Sequence, residues 1–293
     1  MILMHISVII PTHNRAGLLV RALASVFAQT FAPVEVIVVD DGSTDHTEEV
    51  VCDRFPQVNY LRQPQQGVSR ARNVGIQQAQ GEWFAFLDSD DEWLSHKLAL
   101  QRHALQHNPP CRLCHTDEIW IRRGKRVNPM KKHAKHGGTI FQHCLPRCVI
   151  SPSSVMIHRA VFERVGHFDE SLPVCEDYDL WLRICARYEV LFVPEQLLIK
   201  YGGHDDQLSV KYWGMDRFRI RALEKIQESE NLSSPDREAV LRALQEKIDI
   251  VLAGARKRNN LALMQEYAQK RRQYQEPFGA WFVSTAFSAE RPL

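Results

Sequence analysis

The sequence predicts an α/β protein: an open, mostly parallel sheet flanked by helices, followed by a helical extension. Three observations carry this reading. Apolar β-branched runs alternate with helix-spaced apolar residues through the first ninety positions, which is the pattern of β-α-β units. Clusters of Asp, Asn, His and Thr stand where those runs end, and ligands of open α/β sheets collect at the carboxyl ends of strands. After about residue 210 every clear pattern is helical.

The elements follow in order. "HISVII" (5–10) and "VEVIVVD" (34–40) are too continuous for half-exposed strands and read as buried ones. Between them Leu18, Leu19, Ala22, Leu23, Val26 and Phe27 recur at helical spacing. Ser43 or Thr44 can cap a helix containing Asp45 and Glu48, "VNYL" is a short strand, and a helix over about 67–79 leads to a strand at 82–87. From 108 to 150 the pattern weakens into a polar stretch rich in His and Lys, "GKRVNPMKKHAKHGG", read as a hairpin and a flexible loop. Regularity returns with "SSVMI", "RAVFERV", the helix "YDLWLRICARY" and strands near 190–193 and 197–201. The expected domains are 1–209, with a donor half to about 107 and an acceptor half from 108, and a helical extension over 210–293 carrying the stripe Leu241, Leu244, Ile248, Val251 and Ala255.

Composition removes several functions. Lys and Arg number 37 against 35 Asp and Glu, a formal charge of +2 that gives no global case for nucleic acid. Seven cysteines, an odd number, point to free thiols in a reducing cytoplasm. No run approaches the ~18 apolar residues of a membrane span.

The chemistry lies at three strand ends that the fold should bring to one crevice: "PTHNR" (Pro11, Thr12, His13, Asn14), "DDGSTD" (Asp40, Asp41) and "DSDD" (Asp88, Ser89, Asp90). Neighbouring carboxylates repel unless something positive offsets them. Residues two apart on an extended strand end face the same side, so Asp88 and Asp90 can share one ligand. Mg²⁺ or Mn²⁺ held with substrate phosphates fits that donor set. The plainer alternative is a solvated turn that caps the next helix. His13 can stack on a base while Thr12 and Asn14 offer hydrogen bonds, although Asn14 could equally cap a helix. "GVSRARN" adds Arg70, Arg72 and Asn73, with the two arginines suited to phosphate or to plain surface charge. Glu176 and Asp177 open a helix, where acidic residues suit the dipole in any case. Cys111, Cys114, Cys144 and Cys148 form a second, weaker pattern, a possible four-thiolate zinc site.

"ISVIIPTHNR", "VIVVDDGSTD", "GVSRARNVGI", "GEWFAFLDSDD" and "CEDYDLWLRI", in this order and spacing, resemble family 2 glycosyltransferases of the GT-A fold over residues 5–209. The resemblance implies an inverting transfer of a sugar from a nucleoside diphosphate, expected to be UDP, to a hydroxyl acceptor. It places Thr12, His13 and Asp41 on the nucleoside, with Asp41 on the uracil, and Arg70 and Arg72 in support of the nucleotide. Asp90 is placed on the Mn²⁺ or Mg²⁺ and Asp88 on ribose or metal-bound water. Glu176 and Asp177 sit by the acceptor with Asp177 as general base, and His204 completes the metal or phosphate contacts. The implied partners are a nucleotide-sugar donor and a glycan or lipid-linked acceptor, with no nucleic acid, and homo-oligomerisation is left open. The basic clusters at 256–258 and 270–272 with "FGAWF" could rest on the inner face of a membrane, or pack as an ordinary helical hairpin. Two other readings, a nucleotidyltransferase of similar fold and a catalytically silent nucleotide-binding subunit, fit the motifs less well. The first lacks a Gly-rich phosphate loop after the first strand, and intact Asp88, Asp90 and Asp177 argue against the second.

Overall fold

A computed structural model describes residues 4–203, 211–229 and 231–274, and the chain divides into two compact units, 1–213 and 214–293. The first unit is built on a nine-stranded mixed sheet in the order β3-β2-β1-β4-β8-β6-β9-β5, with β7 paired to β6. Its strands are β1 (Ile6–Thr12), β2 (Glu35–Asp40), β3 (Asn59–Arg62), β4 (Trp83–Phe86), β5 (Glu92–Trp93), β6 (Leu113–Arg122), β7 (Lys125–Val127), β8 (Val155–His158) and β9 (Leu191–Gly202). The helices are α1 (Ala16–Phe27), α2 (Thr47–Arg54), α3 (Val68–Gln78), α4 (Lys97–His107), α5 (Phe141–Cys144), α6 (Arg159–Val165) and α7 (Glu176–Cys185).

β1 is buried along its whole length because parallel neighbours, β2 and β4, flank it on both sides. The order 3-2-1-4 reverses direction between β1 and β4, so Thr12, Asp40 and the residues after Phe86 come out on one edge at the switch point. Two glycines allow close approach there. A Cβ at Gly75 would lie 2.4 Å from Ile9 Cγ2, so α3 seats directly on β1. Gly42 has φ +77° and sits against Gln65, a conformation open to glycine without strain.

Several local expectations need correction. Neither Ser43 nor Thr44 caps α2. The helix starts at Thr47, and Asp45 Oδ1 accepts from the Thr47 amide at 3.1 Å and its hydroxyl at 2.5 Å. Asn14 caps no helix: with φ +51° it turns back, its Oδ1 accepting from the Thr44 amide at 2.7 Å. The strands near 190–193 and 197–201 are one strand, because Pro194 and Glu195 bulge out where β6 passes from Thr116 to Asp117. Within the polar stretch, β6 runs for ten residues before the Arg123–Gly124 turn, where both residues have positive φ.

His115 on β6 is fully buried, and burial drives its pKa down to about 3. The sign follows directly. The unfolded imidazole takes a proton below its ordinary 6.5 while the folded one does not, so this group's stabilisation is complete above 6.5 and is lost as pH falls towards 3. The slope approaches about 1.4 kcal/mol per pH unit. His115→Gln, which keeps an N–H for the His136 carbonyl, should therefore lose less stability than wild type between pH 7 and pH 5 in urea titrations.

The second unit holds α8 (Asp216–Gln227), α9 (Ser234–Lys257) and α10 (Leu261–Gln273). α9 buries Val240, Leu244, Ile248, Val251 and Ala255 on one stripe, leaving Leu241 half-buried. Ser233 and Asn260 cap α9 and α10 through their side chains. Lys270 pairs with Glu224 at 2.5 Å and Arg271 with Asp249 at 2.6 Å, so two cations of the second basic cluster bind neighbouring helices. "FGAWF" lies outside the described residues. No helix among the described residues is long and apolar enough to cross a membrane.

Candidate active site

β1 ends in Thr12, whose buried Oγ1 has no partner among the described residues, and in His13. His13 Nδ1 donates to the Asp41 carbonyl at 2.9 Å, and Nε2 accepts from Asn14 and Gln65, each at 3.2 Å. This holds the ring in one orientation. Pro11 is buried within β1, opposite Val39.

The two aspartates after β2 do different work. Asp40 is buried, accepting from the Ser43 amide at 2.8 Å and from the Tyr60 hydroxyl. Oδ1 closes the turn after β2 and Oδ2 meets Tyr60 on β3. Asp41 accepts from Gln63 Nε2 at 2.7 Å and from the amides of Gln66 and Gly67 at 2.8 Å each. It orders the 63–67 loop that leads into α3, and retains acceptor capacity beyond those three bonds.

Asp88, Ser89 and Asp90 lie in a tight turn closed by the Asp91 amide on the Asp88 carbonyl at 2.9 Å, not along an extended strand end. A turn therefore groups the carboxylates, and each has its own cation. Arg72 Nη2 is 2.7 Å from Asp88 Oδ1, and Arg15 Nη1 is 2.9 Å from Asp90 Oδ2. Ser89 is buried. Asp91 accepts from Ser153 Oγ at 2.6 Å and from the Tyr201 amide at 3.2 Å, so it is part of the scaffold. Burial would raise the Asp88 pKa, but Arg72 outweighs it and holds it low. For Asp90 and Asp91 burial wins, with help from neighbouring carboxylates, and both are raised.

Arg72 is the central bridge. Only 4% of its side chain is exposed; besides Asp88 it binds Glu176 Oε1 at 2.6 Å, and it lies over the Phe168 ring. Glu176 is thus turned into the interior, and burial together with Asp177 pushes its pKa up to about 7 against the pull of Arg72. Glu176 thus holds Arg72 from the position next to Asp177. Asp177, next in the chain, is half-buried at the start of α7, where its Oδ1 accepts from the Tyr178 amide at 2.7 Å. Its Oδ2 accepts from the Cys148 thiol at 3.2 Å, and burial plus the Asp177 charge push that thiol well up and keep it a donor.

Other expected residues fall elsewhere. Arg70 is partly exposed and pairs with Glu170 at 3.3 Å, while Asn73 clamps the Phe168 backbone. His204 lies outside the described residues. The four-thiolate zinc site does not form: Cys114 meets Gln101, Cys144 meets Cys185 at 3.8 Å, and Cys148 meets Asp177. Residues the sequence reading passed over include Lys200, half-buried near the carboxylates of Glu118, Asp91, Asp88 and Asp177. Burial disfavours its charge, but these carboxylates more than restore it. A lysine inside the apolar strand "LLIKY" was the available signal. Arg15, in the already conspicuous "PTHNR", was another.

Asp88 and Asp90 also fit a divalent cation. Among the described residues no group of three or more His, Cys, Asp or Glu side chains is placed to hold a metal ion.

A family model described as "Glycosyl transferase family 2" matches residues 7–166, more than half of the chain, and one described as "Glycosyltransferase like family 2" matches residues 126–232. The chain belongs to glycosyltransferase family 2. Within the family, an uncharacterized glycosyltransferase of Rickettsia typhi is 31% identical over 69% of this chain and 65% of its own length. The UDP-Glc:alpha-D-GlcNAc-diphosphoundecaprenol beta-1,3-glucosyltransferase WfgD of Escherichia coli is 30% identical over 61% of this chain and 69% of its own. The chain spans only 26% to 65% of the length of five Rickettsia relatives. Two solved structures share the fold. S. aureus TarS 1-349 in complex with UDP-GlcNAc has a TM-score of 0.66 at 18% identity, covering 92% of each chain. Mannosyltransferase PcManGT from Pyrobaculum calidifontis, in complex with GDP-Man and Mn²⁺, has a TM-score of 0.60 at 18% identity, covering 97% of this chain and 84% of its own.

Proposed function

We propose that this chain is an inverting glycosyltransferase that moves a sugar from a UDP-sugar to a hydroxyl of a lipid-linked or glycan acceptor in cell-surface polysaccharide synthesis. One observation carries the reading: Arg72 ties the turn holding Asp88 to Glu176 at the head of α7, so the donor end of the site and the carboxylate of Asp177 are braced as one unit.

In this reading Thr12 and His13 hold the nucleoside, and the acceptor capacity left on Asp41 meets the base edge. Asp90, with Asp88, holds Mn²⁺ or Mg²⁺, which supplies charge neutralisation to the departing diphosphate. The acceptor hydroxyl attacks the anomeric carbon from the face opposite the diphosphate. As the new C–O bond forms, its proton passes to Asp177, and the old C–O bond breaks with its electron pair leaving on the nucleoside diphosphate. In-line displacement inverts the anomeric configuration.

For the acceptor, residues 122–147 hold eight Lys or Arg and no Asp or Glu, in a chain whose net charge is only +2. The segment ends beside Cys148, which touches Asp177, so an acceptor carrying phosphate would meet favourable charge on its way to the base. The acceptor named for WfgD is a diphosphate-linked lipid, which supports the same reading and, with it, work at a membrane surface.

A thermal-shift screen of nucleotide sugars, each with and without Mn²⁺, tests the donor assignment, since a ligand that binds only the folded state raises its melting temperature. UDP-sugars should give the largest shifts and only with the cation; a GDP-sugar giving the largest shift would displace uridine from the proposal.

A further inference from the structure

Within the basic stretch 122–147, three cations gather around one indole. Trp120 on β6 is fixed by its Nε1, which donates to Glu118 Oε1 at 2.7 Å. Glu118 Oε2 is taken by Lys135 Nζ at 2.9 Å, and both side chains of that pair are only 4% exposed, so the chain after β7 is pinned back onto β6. The His133 ring rests on Trp120 with centroids 5.1 Å apart, and the Arg122 guanidinium lies 5.7 Å from the same indole. Arg147 Nη1 donates to the Lys132 carbonyl at 3.0 Å. His133 senses all three charges: burial first, then Arg147, Lys132 and Arg122, lower its pKa against a weaker opposite pull from Glu118. Arg122, Lys132 and Arg147 make no ion pair with a carboxylate among the described residues, and both oxygens of Glu118 are committed to Trp120 and Lys135. The cluster also stands beside the base. Trp120 is the register partner of Lys200 on β9, whose charge bears on Asp177, and Arg147 immediately precedes Cys148, whose thiol donates to Asp177 Oδ2 at 3.2 Å.

We propose that Arg122, Lys132 and Arg147 form a subsite for a diphosphate on the acceptor, holding it while the sugar it carries presents a hydroxyl to Asp177. This rests on the reading of the acceptor as a phosphate-bearing molecule. Mutually repelling cations without carboxylate partners gain most from a polyanion, and the two guanidiniums suit bidentate contact with phosphate oxygens. Because Glu118 and Lys135 pin the stretch to the sheet, less ordering is left to be done when the anion arrives. The connectivity agrees as well: in a lipid-linked sugar diphosphate the reacting hydroxyl stands one sugar ring from the phosphates, and Arg147 stands one residue from the thiol on the base. Met130, 59% exposed two positions before Lys132, offers apolar surface to the first carbons of a lipid tail.

The test is calorimetry of geranyl diphosphate in EDTA at about 0.15 M salt, where surface charge is screened beyond about 8 Å. UDP affinity in Mn²⁺ and sedimentation with phosphatidylcholine–phosphatidylglycerol vesicles are measured on the same proteins. The double variant Arg122→Gln/Arg147→Gln should bind geranyl diphosphate at least about tenfold more weakly than wild type, with UDP affinity and vesicle binding unchanged. Arg122→Lys/Arg147→Lys should keep most of the affinity, and Lys132→Gln, at an exposed position, should lose a smaller factor and decides the matter if the double variant also loses UDP. Unchanged geranyl diphosphate affinity in the Gln variants overturns the subsite. A parallel loss of vesicle binding overturns it in favour of lipid headgroups in general. Wild type that binds UDP but no geranyl diphosphate ends the phosphate-bearing acceptor and this subsite together, and leaves the donor site standing.

Discussion

Asp177→Asn should lower turnover by about 10²-fold or more while leaving donor affinity and melting temperature nearly unchanged. The geometry makes this variant a clean test. Asn retains an oxygen for the Tyr178 amide, which Asp177 Oδ1 accepts at 2.7 Å, so the start of α7 keeps its local bond. What is lost is the acceptor of a proton. An acceptor hydroxyl is a poor nucleophile at neutral pH, and without a base the proton has no partner as the C–O bond forms. If Asp177 served only the helix terminus, the pattern would reverse: Asn would sustain activity, and Asp177→Ala would cost about 1 kcal/mol of stability. Turnover, donor affinity and melting temperature measured on both variants separate the two roles.

Arg72→Met should be strongly destabilising. It leaves Asp88 and Glu176 without the cation that bridges them at 2.7 and 2.6 Å, and stranding buried charge of this kind costs about 3–5 kcal/mol. In a protein of this size that is a fall on the order of 10 °C in melting temperature. The pH dependence gives a second signature. Glu176 already has a folded-state pKa raised to about 7 from an ordinary 4.5, so the folded chain binds the proton more readily than the unfolded one, and the group's stability contribution grows as pH falls. Removing Arg72 raises that pKa further, and the deficit of Arg72→Met should therefore shrink between pH 8 and pH 6. A deficit that widens on acidification would show that Glu176 is not the strained partner. Arg72→Lys, a point charge in place of a fork, should fall between the two.

The strands that build the crevice were legible because nothing in their neighbourhoods contradicts their composition. β1, β2 and β4 are buried β-branched or aromatic runs, and their sequence pattern is the direct consequence of having sheet on both sides. β6 was less visible: His115, Thr116, Asp117 and Glu118 interrupt its apolar character, and their burial is made tolerable by partners distant in sequence, such as Lys135 at 2.9 Å from Glu118. β9 reads as two strands because Pro194 cannot join a ladder, and only the register shift in β6 shows that the strand continues past it. The same reasoning applies to the site. Acidic motifs at strand ends declare themselves locally, since each spends its repulsion within a few residues. Their counter-ions do not: Lys200 comes from β9, more than a hundred residues from the Asp88–Asp91 turn, and Arg72 on α3 is itself held by Glu176 of α7. Asp40 and Asp41 are adjacent and chemically identical, and only their distant partners, Tyr60 for one and the 63–67 loop for the other, distinguish them. Cys148 drew attention as half of a metal pattern, yet its fold position makes it the thiol against Asp177.

The central claim is that the DxD turn binds a nucleoside diphosphate through a divalent cation, and isothermal calorimetry of UDP tests it most directly. Wild type should bind UDP at least about tenfold more tightly in Mn²⁺ than in EDTA, and Asp90→Asn, which removes a charge while keeping the side chain's shape, should abolish most of that difference. Equal affinity for UDP in Mn²⁺ and in EDTA, in a protein that binds UDP at all, would contradict it.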